Sequence, residues 1–163
     1  MRLFILLPFL TVVLVSRIQA QDTTSIKVTG EVTQPLTLSA ADLVNMHRVT
    51  VVGKDKNGTS HNYTGVPVAD ILNKAGVTTG AQLRGKSLTK YLLVTCADGY
   101  QVIFSLAELD SDFTDRVVIL ADQLEGQPLP AGMGPFRIIV PGEKKPARNS
   151  FRVVSFTIRS AKE

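Results

Sequence analysis

Apolar and polar side chains alternate through Ile26-Lys27-Val28-Thr29-Gly30-Glu31-Val32, the period of a strand with one buried face, and Gln34-Pro35 ends the run. Ser39-Ala40-Ala41-Asp42 then predicts a helix start, because the Ser39 hydroxyl and the Asp42 carboxylate can each take an unpaired amide of a first turn; the helix runs to about Met46. Arg48 to Val52 returns as a strand. Lys54-Asp55-Lys56-Asn57-Gly58 is polar, ends in Asn-Gly and predicts a hairpin turn, with Thr59 to Tyr63 as the returning strand. Val66 to Gly76 carries the clearest helical period. Pro67 suits its first turn, Asp70 the positive end of its dipole and Gly76 a left-handed cap, while Val68, Ile71, Leu72 and Ala75 share one face.

Beyond a Gly-rich loop to Lys90, Leu92 to Cys96 and Gln101 to Phe104 flank Ala97-Asp98-Gly99-Tyr100 as a second hairpin. Ser105-Leu106-Ala107-Glu108 has the form of another capping box. Val117 to Ala121 and Phe136 to Val140 read as buried strands, and Phe151 to Ile158 closes the chain with alternation. No internal repeat or low-complexity stretch interrupts this order.

The N-terminal pattern is different in kind. Arg2, the apolar run Leu3 to Val15 and Ser16-Arg17-Ile18-Gln19-Ala20 read as a secretory signal cleaved after Ala20, and the apolar run is too short to span a bilayer comfortably. The expected organisation is therefore a signal at 1–20 and one domain at 21–163, in the periplasm or secreted. Cleavage removes Arg2 and Arg17, which lowers the net charge from +4 to +2 and leaves no support for a nucleic-acid or membrane-surface role. Cys96 is the only cysteine, so no intrachain disulfide can staple the fold. It shares a strand face with Leu92 and Val94, the setting of a buried thiol.

Few residues carry readable chemistry. His47 and His61 are the two imidazoles and have no partner at metal-ligand spacing. The acidic run Glu108 to Asp115 lacks the glycine and terminal glutamate of an EF-hand and reads as a solvated connection. Gly132-Met133-Gly134-Pro135 lacks a phosphate-loop lysine, and no Ser-His-Asp or Cys-His set is evident, so no catalytic residue and no metal ligand is assigned. Lys144, Lys145 and Arg148 follow Pro141-Gly142 on one loop, and Arg137 precedes it in a strand. Together they suit a phosphate or another small anion.

Five segments in order resemble the molybdopterin-binding domain of the sulfite oxidase family: Tyr63-Thr64-Gly65-Val66-Pro67, Asp98-Gly99-Tyr100, Val117 to Ala121, Glu125 to Leu129, and Gly132 through Gly142. The likeness covers nearly the whole mature chain. It implies an α+β (mixed α/β) fold, with short helices on a strongly bent, mostly antiparallel sheet. It also implies a molybdopterin-type cofactor. In the family's enzymes a cysteine after the strand matching Val49 to Val52 ligates molybdenum; here that stretch is Val52-Gly53-Lys54, and neither glycine, valine nor a lysine cation replaces a soft thiolate. The leading expectation is an exported, non-catalytic binding or accessory module for a small anionic or pterin-type ligand. Its cofactor-binding set would be Tyr63, Asp98, Tyr100, Arg137, Lys144, Lys145 and Arg148. The alternatives are a periplasmic molybdopterin-dependent oxidoreductase whose metal is held by the pterin alone, with His61, Tyr100 or Arg137 near substrate, and a ligand-free protein-interaction domain.

Overall fold

The alternation beginning at Ile26 forms a strand in which Ile26 and Val28 are fully buried while Lys27 and Thr29 face out. The computed structural model describes residues 25–161, so the expected signal and its cleavage site lie outside the described residues. The elements are β1 (Ser25–Gly30), β2 (Leu36–Ser39), α1 (Ala40–Val44), β3 (Val49–Lys54), β4 (Ser60–Pro67), α2 (Val68–Lys74), β5 (Lys90–Cys96), β6 (Gln101–Ser105), β7 (Ile119–Leu124), β8 (Gln127–Pro128), β9 (Arg137–Ile139) and β10 (Val153–Ser160). No helix among the described residues is long and apolar enough to cross a membrane.

The strands form two sheets. One has the order β2-β1-β10-β5-β6; the other runs β3-β4-β7-β8, with β9 added alongside β7. The β1–β10 pair joins the two ends of the described chain and is parallel, and the remaining pairs are antiparallel. Between the sheets lies the main core, where Phe104, Phe156 and Leu92 meet Val66, Leu120 and Ile138, and α2 adds Val68, Ile71 and Leu72. The opposite face of the second sheet carries a smaller cluster of Tyr63, Ile119, Ala121 and Ile139.

A bulge on β7 sets the geometry of that second face. Thr64 pairs with Gln123 and Gly65 with Ala121, so Asp122 is the extra residue. The parity of β7 changes there, and Leu124 rejoins the side of Ile119 and Ala121. Asp122 is turned instead onto Arg48, whose guanidinium grips both carboxylate oxygens. Gly65 sits at the same point because a Cβ there would lie 2.1 Å from the Leu120 carbonyl oxygen.

Local signals and tertiary structure differ at several boundaries. The Ser39–Asp42 capping box is present in both directions and starts α1, which ends at Val44. Pro67 stands just outside α2 as its N-cap, and Gly76 has φ +70° beyond the other end. The reciprocal Ser105–Glu108 bonds cap only one 3-10 turn, Ala107–Leu109, since the acidic connection follows at once. β2 was not legible as a strand because four residues between Pro35 and a helix cap show too little alternation; its pairing with β1 creates it. β10 begins only at Val153, for Arg152 has φ +51° and leaves the ladder. Phe151 is thereby turned out to 43% exposure.

Candidate functional site

Every residue from Phe136 to Val140 is buried, and one of them is a cation. Arg137 pairs with Ala121 across β9 and β7 and is only 3% exposed. Two rings approach its guanidinium carbon, Tyr63 with its centre at 5.1 Å and Phe151 at 4.1 Å. Nη1 donates to the Tyr63 hydroxyl at 2.8 Å and lies 3.9 Å from the Met133 sulfur. Nε is buried and has no acceptor. Among the described residues no carboxylate forms an ion pair with this guanidinium. Burial pulls its pKa below the ordinary arginine value, against the opposing pull of the Tyr63 oxygen and of Asp55.

Arg137 lines a cleft of about 480 Å³ walled by Tyr63, Leu124, Met133, Pro146 and Phe151, with Asp55, Lys56 and His61 at the rim. His61 stands edge-on to the Tyr63 ring, its Nε2 3.6 Å from Asp55 and its Nδ1 3.7 Å from Glu125. Glu125 is fixed in turn, because its carboxylate accepts the Asn62 amide at 2.9 Å and the Asn62 side-chain amide at 3.2 Å. Those two bonds, with a smaller contribution from His61, hold its pKa below the usual carboxylate value.

The residues singled out from the sequence do not share one cavity. Tyr63 and Arg137 line the cleft just described. Asp98 and Tyr100 border a second cleft of about 260 Å³, in which the Tyr100 hydroxyl donates to the Ala147 carbonyl at 2.9 Å and Asp98 accepts the Tyr100 amide. Lys144 borders a third, about 300 Å³, opposite Val52 and Lys54. Pro146 lines all three, and Lys145 is exposed beside it.

Arg148 is already engaged. Its guanidinium holds Glu143 through Nε at 2.8 Å and through Nη2, holds Glu108 through Nη1 at 3.1 and 3.2 Å, and lies 4.5 Å from the centre of the Phe104 ring. Partial burial works against its charge, and the two carboxylates outweigh that, so its pKa rises above the ordinary value. Arg148 thus ties the cationic loop to the end of β6. Cys96 is 3% exposed within the main core, and His47 is bonded to Asp70 on the surface.

Phe151, Met133, Leu124 and Pro146 complete the Arg137 cleft and carried no functional signal in the sequence. An aromatic beside a strand start reads as core. Only the backbone turn at Arg152 makes Phe151 a cleft wall.

The family described as the oxidoreductase molybdopterin binding domain matches residues 13–145, a span that begins inside the expected signal segment. Among solved structures, the sulfane dehydrogenase SoxCD from Paracoccus pantotrophus superposes with a TM-score of 0.65 and 21% identity, over 86% of this chain and 40% of that one. The chain therefore spans about two fifths of the length of that structural relative. No curated protein matches the sequence.

Proposed function

Because the chain belongs to the family of oxidoreductase molybdopterin-binding domains, with the sulfite-oxidase-like fold, we propose that it is an exported, non-catalytic binding or accessory module that takes a small anionic or pterin-type ligand in the Arg137 cleft. The observation that carries this reading is the buried guanidinium, with which no carboxylate forms an ion pair among the described residues. Leaving one partner of a buried ion pair uncompensated costs about 3–5 kcal/mol, and an N–H without an acceptor about 1–3 kcal/mol. An incoming anion offsets both. The cleft's volume, near 480 Å³, also falls within the range of about 300–1,000 Å³ typical of small-molecule sites.

A thiolate-held molybdenum does not match the residues present. The stretch Val52-Gly53-Lys54 offers no thiol, and Cys96 is buried on β5, in the main core and at the wall of the Asp98–Tyr100 cleft, not in the Arg137 cleft. At Gly53 a Cβ would lie 2.8 Å from Ile139 Cγ2 and 3.1 Å from the Tyr63 ring, so the inward position there is filled by neighbouring side chains. We assign no reaction step to a metal. A pterin-type ring suits the apolar walls, with Arg137 facing its anionic group. Export rests on the Arg2 to Ala20 segment.

The test is to express the full chain in a host that makes molybdopterin and measure molybdenum and pterin per chain. The purified protein and its Arg137→Gln variant are then titrated calorimetrically with inorganic phosphate and with a pterin. The expected result is molybdenum far below one per chain, with anion or pterin binding that the substitution abolishes. Molybdenum near one per chain would overturn the non-catalytic reading, and absence of binding to either probe would overturn the ligand site.

A further inference from the structure

The free edge of Arg137 restricts what can pair with it. The N–H groups of a guanidinium point outward in its plane, so an anion must pair there, while the Tyr63 and Phe151 rings stand 5.1 and 4.1 Å from its carbon. Within that plane Nη1 is occupied by the Tyr63 hydroxyl. Nε has no acceptor, and Nη2 makes no hydrogen bond among the described residues. Two adjacent N–H groups on one edge match the two oxygens of a carboxylate in a bidentate pair.

Charge and wall chemistry narrow the ligand further. Arg137 is the one buried cation lining this cleft, and at the rim the opposite charges of Lys56 and Asp55 offset one another. A single negative charge neutralises one guanidinium, whereas a dianion would bring an unbalanced second charge out of water. Leu124, Met133, Pro146 and Phe151 make the walls mostly apolar, and such walls favour a ligand body that gives up little hydration. We infer that the cleft takes an organic monocarboxylate carried on a flat apolar ring, its carboxylate across Nε and Nη2 and its ring against Phe151. This inference rests on the anion-binding reading above and names its ligand class. Nε is closed to solvent, so a cleft wall must shift for the carboxylate to reach it, and Phe151 is 43% exposed.

The experiment is a ¹H–¹⁵N titration of the full chain that follows the Arg137 Nε–H resonance, identified by its loss in Arg137→Lys. If that variant does not fold, the resonance is assigned through its own side-chain correlations in the wild type. The probes are benzoate, acetate and inorganic phosphate. Benzoate is expected to move the resonance and to bind at least about tenfold more tightly than acetate, the gain from burying a ring. Phe151→Ala should lower the ratio of benzoate to acetate affinity about three- to tenfold, since the ring contact it removes is made by benzoate alone. If phosphate moves the resonance and benzoate does not, the cleft remains an anion site and the carboxylate assignment is overturned. Acetate binding as well as benzoate would overturn the role of the apolar walls. If none of the three moves it, this inference and the anion site both fail.

Discussion

Putting a side chain at Gly53 tests whether the place expected for a metal thiolate has been closed by packing. Val49, Val51 and Gly53 point to the same side of β3, toward the small cluster of Tyr63 and Ile139. A Cβ at position 53 would stand 2.8 Å from Ile139 Cγ2 and 3.1 Å from both Cδ2 and Cε2 of Tyr63. Neither neighbour is a loose tip: Ile139 is fully buried, and Tyr63 is 1% exposed with its hydroxyl held by Arg137. Overpacking of this kind costs about 1–3 kcal/mol. The stiffer unfolded chain of an alanine variant returns about 0.4–1 kcal/mol, since Gly53 has no positive φ to strain. At the middle of these ranges Gly53→Ala should lose about 1.3 kcal/mol, which lowers the melting temperature of a domain this size by about 3–5 °C. Thermal and urea unfolding followed by circular dichroism would measure it, with the outward-facing Val52→Ala as a control that changes stability by less than about 0.5 kcal/mol. Gly53→Cys should be destabilised at least as much, with its new thiol slow to react with a disulfide reagent. An alanine variant as stable as wild type, or a cysteine at 53 that reacts like a free thiol, would refute the packing argument.

Arg148→Ala should destabilise by about 1–3 kcal/mol in urea unfolding, because Glu143 and Glu108 both lose a charged donor, and Arg148→Lys should recover little, since an ammonium cannot span two carboxylates as a planar fork does. Burial raises the Cys96 thiol pKa, so its contribution to stability is complete below the unfolded thiol's value of about 8.5 and is lost as pH rises through and beyond it. Urea titrations between about pH 7 and 10 should show that decline, and Cys96→Ala should flatten it. Glu125 behaves in the opposite sense. Its Asn62 bonds lower its pKa, so the stability it adds is present above about pH 4.5 and is lost as pH falls through the lowered value; Glu125→Gln should shrink that acid limb in the same assay.

The strands of the two hairpins, the helix that became α2 and the capping box at Ser39 were legible because each rests on neighbours within a few residues. Boundaries that depend on distant partners were not. β2 exists by pairing with β1, and β7 runs on to Leu124 because a bulge at Asp122 restores its inward parity. The candidate site divides in the same way. Arg137 stood out as a cation inside an apolar strand, but its burial beside Tyr63 and Phe151 is a contact among three separate segments of the chain. Arg148 looked like a free anion-binding cation beside Lys144 and Lys145, and its engagement with Glu108, forty positions away, has no local spacing to reveal it.

By itself the chain determined the order of its elements, the resemblance to a molybdopterin-binding domain and the presence of a single cysteine, since alternation, caps and turn residues act over a few bonds. Tertiary structure decided that Arg148 is already paired, that five of the chosen residues border three clefts around Pro146, and that the buried Arg137 guanidinium has no carboxylate paired with it among the described residues. Those outcomes depend on desolvation and charge pairing, which arise only when residues far apart in sequence exclude water from the same small space.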